Sequence, residues 1–133
     1  METNSSAVSP TAAGIICLVD DDTSILRAID RLLSSVGLQA QLFSEPLVFL
    51  SYVIYNSVAL AVIDIWMPGM NGLQVQKELK AVSPKTRVII CTANDLDSMR
   101  NAAIQAGAIA YFAKPFSDDA FLAAVHQAMA SES

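Results

Sequence analysis

The chain has 133 residues, 53% of them hydrophobic, with a net charge of −5 and a sequence pI near 4.5. That length and apolar content suit one domain with a substantial core and leave no room for a second. An acidic balance argues against direct binding to nucleic acid, which needs clustered Lys and Arg. No apolar run approaches the roughly 18 residues of a membrane span, so the expectation is a cytoplasmic domain without membrane contact.

Residues 1–13 are polar and rich in small side chains, without the basic flank or apolar centre of a signal peptide. They read as a flexible tail ahead of a folded domain over 14–130, with 131–133 as a short C-terminal tail. The apolar run Ile15 to Val19 predicts a first strand, ending at Asp20, Asp21 and Asp22. Ile25, Ile29, Leu32, Leu33 and Val36 then recur at helical spacing, with Asp22 or Thr23 as N-cap and Gly37 as terminator. Leu38, Ala40 and Leu42 alternate with Gln39 and Gln41, the pattern of a strand at a sheet edge, whereas the other runs read as buried on both faces.

Ser44, Glu45 and Pro46 start a second helix that runs from Leu47 to Tyr55 and is apolar around its whole circumference. Ala59 to Ile63 is a third strand, ending at Asp64. A third helix fits Leu73 to Val82, closed by Ser83 and Pro84. Val88 to Cys91 leads into Thr92, and Leu96, Met99, Ala103 and Ala106 pattern a fourth helix that stops at Gly107. Ile109 to Ala113 runs into Lys114 and Pro115, and Phe121, Leu122, Val125 and Met129 give a last helix capped by Ser117. Five strands alternating with five helices through short loops predict an α/β fold: a single doubly wound five-stranded parallel sheet with helices on both faces.

In such a sheet the carboxyl ends of the strands meet at one edge, where binding sites form. That edge would gather Asp20, Asp21, Asp64, Thr92 and Lys114. Crowded carboxylates repel one another unless a hard cation with oxygen ligands holds them, and Mg²⁺ suits one or two carboxylates with phosphate and water. One carboxylate can then act as nucleophile toward a phosphoryl group. Asp64 is the candidate, because it stands alone before the turn-rich segment Met67 to Gly72. Lys114 supplies a point charge to a phosphoryl oxygen and Thr92 a rotatable hydroxyl. Cys17 and Cys91 lie within apolar runs and read as buried thiols, and His126 reads as a solvated helix residue.

The segments Val19-Asp20-Asp21-Asp22, Asp64 through Gly72, Cys91-Thr92-Ala93 and Tyr111 through Phe116 resemble, in combination and order, the receiver domain of bacterial two-component response regulators. The resemblance implies the flavodoxin-like receiver fold. It implies that Asp64 accepts a phosphoryl group from the phosphohistidine of a sensor histidine kinase or phosphotransfer protein. Asp21 and Asp64 would bind Mg²⁺ directly, Asp20 through water, and Trp66 through its backbone carbonyl. Thr92 and Lys114 would contact the phosphoryl group, and Tyr111 would switch rotamer with Thr92. The readout surface would be the fourth helix, fifth strand and fifth helix, which would also serve a homodimer. The Lys114-Pro115 bond is expected to be cis.

Such a protein is a signalling module and not a turnover enzyme, and could form the N-terminal part of a longer DNA-binding regulator. Trp66, two residues after Asp64, is expected to shield the acyl-phosphate from water. Two other readings differ in class. A Mg²⁺-dependent phosphohydrolase of the haloacid dehalogenase type would place its nucleophile after the first strand, a register that Asp20-Asp21-Asp22-Thr23 misses. A degenerate receiver would bind partners without phosphorylation, against a complete residue set.

Overall fold

In a computed structural model, residues 14–130 are described; the predicted tails at 1–13 and 131–133 lie outside them. Five strands alternate with five helices: β1 (Ile15–Val19), α1 (Thr23–Ser34), β2 (Ala40–Phe43), α2 (Pro46–Tyr55), β3 (Val58–Asp64), α3 (Gly72–Val82), β4 (Arg87–Thr92), α4 (Asp97–Gln105), β5 (Ala110–Ala113) and α5 (Asp118–Ala130). The strands form one parallel sheet in the order β2-β1-β3-β4-β5. This is the doubly wound architecture that the alternation of apolar runs and helical patterns predicts.

Alternation of side chains along each strand divides the core in two. Cys17, Val19, Ala61, Ile63 and Ile90 face Phe49 and Val53 of α2, Val75 and Leu79 of α3, and Ala103 of α4. Ile16, Leu18, Leu60, Val62 and Ile89 face Leu26, Ile29 and Leu33 of α1 and Phe121, Val125 and Ala128 of α5. The central strands are buried on both sides, which is why they read as unbroken apolar runs rather than as alternation.

Two predicted strands change at their margins. Leu38 lies outside β2, in the turn that closes α1: its N–H donates to the Leu33 carbonyl (3.0 Å) past Gly37, whose φ is +83°. The fifth run reads from the sequence as buried on both faces, but β5 is an edge strand whose four residues are only half-buried, and Ile109 lies outside it and is exposed. At that edge Tyr111 packs on the face covered by α2, α3 and α4, and Ala110 and Phe112 pack on the face covered by α1 and α5.

The loops at the carboxyl ends are locally fixed. Asp22 caps α1, its carboxylate accepting from the N–H groups of Ser24 (2.9 Å) and Ile25 (3.3 Å). Asn71 and Gln74 form a reciprocal capping box at the start of α3. Ser117 accepts from the Ala120 N–H (3.2 Å) at the start of α5, and the Lys114-Pro115 peptide is cis, as expected.

Candidate functional site

Registers in the sheet decide which polar residues meet. Val19 pairs with Ile63, Asp64 with Cys91, and Thr92 with Ala113, so the residues that terminate β1, β3, β4 and β5 come out at one level. Carboxylate oxygens of Asp20, Asp21 and Asp64 lie within 4.8 Å of one another. Asp20 and Asp64 are buried and Asp21 is exposed at the mouth. Lys114 reaches in from the end of β5, its Nζ donating to Asp20 Oδ2 at 2.7 Å and to Asp64 Oδ1 at 3.4 Å.

The electrostatics of this cluster are unequal. Burial, and then the charge of Asp20, push the Asp64 carboxyl from 3.8 up to about 6, while Lys114 pulls it the other way without prevailing and Asp21 adds a smaller upward push. Burial disfavours the Lys114 ammonium, but its hydrogen bond to Asp20 and the charges of Asp20 and Asp64 outweigh that, and its net shift is upward. The site therefore keeps a cation beside two carboxylates and leaves Asp64 with an unfavourable charge near neutral pH. An all-oxygen donor set of this density suits a hard divalent cation such as Mg²⁺, which would offset that repulsion.

Thr92 is fully buried at the end of β4. Its Oγ1 lies 3.4 Å from the Asn94 carbonyl oxygen as donor and accepts from the Asn94 N–H at 3.2 Å. Trp66, in the loop after Asp64, donates from Nε1 to the same Asn94 carbonyl at 3.1 Å. One carbonyl thus joins the loops that follow β3 and β4. Tyr111 is half-buried on β5 with the Arg100 guanidinium 4.8 Å from its ring centroid, and Arg100 is ion-paired with Asp95. The Tyr111 hydroxyl has no partner at hydrogen-bonding geometry, but burial and the nearby Asp95 carboxylate together push it up to about 12.

All the residues singled out from the sequence for the site, apart from Tyr111 on the flank and Asp22 in its cap, converge on this edge. The Asn94 carbonyl and Arg100 were not foreseen. A backbone acceptor leaves no trace in residue type, and the pairing of Arg100 with Tyr111 depends on α4 lying against β5. Cys17 and Cys91 are buried and pushed by burial up to about 12, so neither supplies a thiolate; His126 is exposed on α5.

Comparison with known proteins agrees with this arrangement. The family model described as response regulator receiver domain matches residues 16–126. The response regulator protein TodT of Pseudomonas putida is 35% identical over 117 residues, 88% of this chain and 52% of that protein. The DNA-binding transcriptional regulator NtrC of Escherichia coli is 38% identical over 117 residues, 87% of this chain and 25% of that one. The chain thus spans about half the length of the first relative and a quarter of the second. The solution structure of the beryllofluoride-activated NtrC4 receiver domain dimer superposes with a TM-score of 0.84 at 26% identity, covering 89% of this chain and 98% of that one. Among the described residues no helix is long and apolar enough to cross a membrane. With its family model covering most of its length, the chain belongs to the response regulator receiver domains of bacterial two-component systems.

Proposed function

We propose that the domain accepts a phosphoryl group on Asp64 from the phosphohistidine of a sensor histidine kinase or phosphotransfer protein, and relays that event to the face formed by α4, β5 and α5. The observation that carries the reading is the placement of Lys114 Nζ between the Asp20 and Asp64 carboxylates, beside Asp21 and at the level of Thr92. In the transfer, an Asp64 carboxylate oxygen forms a bond to phosphorus as the phosphorus–nitrogen bond breaks, and the electron pair returns to the imidazole, which takes a proton from solvent. Asp20, Asp21, Asp64 and the Trp66 backbone carbonyl are the groups that would hold Mg²⁺. When bound, the ion neutralises charge on the phosphoryl oxygens.

Lys114 contacts a phosphoryl oxygen, and the Thr92 hydroxyl turns from the Asn94 carbonyl toward another. The phosphoryl group adds roughly 1.5 to 2 negative charges and strong acceptors, enough to bias a two-state element. Tyr111 then follows Thr92 inward and Arg100 loses its stacking partner. A groove of about 670 Å³ beside Lys114, lined by Ile25, Ile29, Leu32, Pro115 and Phe116, offers the phosphodonor an apolar seat. The α4-β5-α5 face is the surface for partners or for a homodimer of the phosphorylated form. The domain itself is cytoplasmic and does not contact DNA; an output domain would do so in a longer regulator.

The test is intact-mass analysis after incubation with acetyl phosphate and Mg²⁺. Wild type should gain one phosphoryl group and Asp64→Asn none. An unmodified wild type would remove the phosphoacceptor assignment. The same samples give the lifetime of the label, which Trp66→Asn should shorten if the indole shields the acyl-phosphate.

A further inference from the structure

Helix α2 is the least polar helix among the described residues. Between Arg31 and Asp64 the sequence holds one charged residue, Glu45, and it precedes the helix. Pro46, Phe49 and Val53 are buried against the sheet. On the opposite side Leu47 is 67% exposed, Val48 52%, Ile54 59% and Tyr55 83%. A helix that is apolar all round is ordinarily covered on all sides, yet among the described residues α2 lies over the β2 edge of the sheet and α3 is the one helix it packs against extensively.

The exposed residues form one stripe. At 3.6 residues per turn, positions 47, 48, 51, 54 and 55 share the outward face. Large apolar side chains occupy both ends of it, Leu47 and Val48 at one and Ile54 and Tyr55 at the other, with the small, exposed Ser51 between them. That order is the same read from either end. Two such helices crossing antiparallel on a two-fold axis would meet closely at the two Ser51 residues, and each Leu47-Val48 end would cover the other's Ile54-Tyr55 end. Isologous contacts demand this self-complementarity.

We propose that α2 is a homotypic interface, occupied by α2 of a second copy of this chain. Charge favours this occupant. The protein carries −5 overall, so most self-contacts oppose like charges, whereas the α2 face brings none together and an antiparallel crossing keeps the two Glu45 residues at opposite ends. A single helix pair buries less than the roughly 800 Å² per partner of a standard stable interface, so the dimer should be reversible and form in the micromolar range. It does not depend on phosphorylation, because α2 belongs to the sheet edge opposite to α4, β5 and α5.

Sedimentation velocity on the unphosphorylated chain over about 1 to 300 μM tests this. Wild type should pass from monomer to dimer. Ile54→Glu, at an exposed position that the fold tolerates, should weaken association at least about tenfold by burying an unpaired carboxylate in the contact. Ile104→Glu, at a comparably exposed site on α4, should not. Ser51→Cys should give a disulfide-linked dimer on mild oxidation, because a two-fold crossing brings the two positions within disulfide reach and the native thiols are buried. A wild type that stays monomeric throughout, or association lost in Ile104→Glu and kept in Ile54→Glu, would overturn the proposal.

Discussion

Helices α3 and α4 lie side by side on the same face of the sheet and are held very differently. Gly72, Val75, Gln76 and Leu79 of α3 are buried, and a capping box closes its first turn. Of the nine residues of α4 only Ala103 is buried, and Leu96 at its N-cap position makes no side-chain bond to the free amides. The helix that follows the Asp64 loop is therefore pinned to the sheet, whereas its neighbour rests on one small buried side chain, the partly buried Met99, a carbonyl held by Gln76 (Nε2 to Ala103 O, 3.0 Å) and the Arg100 stack on Tyr111. A region with few buried apolar contacts opens at low free energy. On the proposed reading, this difference would leave Asp64 in place while α4 responds to a charge placed there.

The pinned side should be broken most severely at Gly72. A Cβ there would lie 2.3 Å from the Asp64 carbonyl oxygen and 2.9 Å from the Ile65 Cα, both backbone atoms that cannot step aside. Gly72→Ala should lower the unfolding free energy by about 3 kcal/mol, the upper part of the range for overpacking, measured by urea denaturation. A loss below about 1 kcal/mol would mean that this loop is not fixed as described.

A smaller effect is expected from Asp64 itself. Its carboxyl is raised in the folded protein from 3.8 to about 6, so the folded state holds that proton more tightly than the unfolded chain. The stability it contributes is present below about pH 4 and is lost as pH rises through about 6. Without metal, Asp64→Asn should be more stable than wild type by about 2 kcal/mol above pH 6, with the gap closing toward pH 4. Urea midpoints of both proteins across that range decide it, and a gap independent of pH would contradict the unfavourable charge. Mg²⁺ should narrow the gap by stabilising wild type.

The loose side offers the mildest test. Leu96→Ser supplies α4 with the cap that α3 already has, worth about 0.5 to 1 kcal/mol locally. Hydrogen exchange of α4 amides should slow by about threefold while α3 is unchanged. Equal slowing in both helices would show that capping is not what separates them.

Much of this was legible in the chain because the site is built from strand termini. An apolar run that stops abruptly at Asp20, Asp64, Thr92 or Lys114 announces both a buried strand and the residue it delivers to the edge. Asp22 was readable as a cap for the same local reason. What escaped depends on partners far apart in sequence. Gln76 is a polar residue of α3, yet it is buried and reaches Ala103 in the next helix. At Asn94 the backbone carbonyl makes the contact, and no residue type marks a carbonyl. The half-buried state of β5 followed from its place in the strand order, which no local pattern encodes.

Trp66 is the only tryptophan in the chain, and its indole donates to the carbonyl that Thr92 also faces. The polarity around that ring is thus set by the two loops that follow β3 and β4 and border Asp64. Excited at the red edge of its absorption, where tyrosine does not absorb, this one side chain supplies the ultraviolet emission of the unlabelled protein, so the molecule carries its own optical gauge of those loops, readable in real time without a dye or a partner.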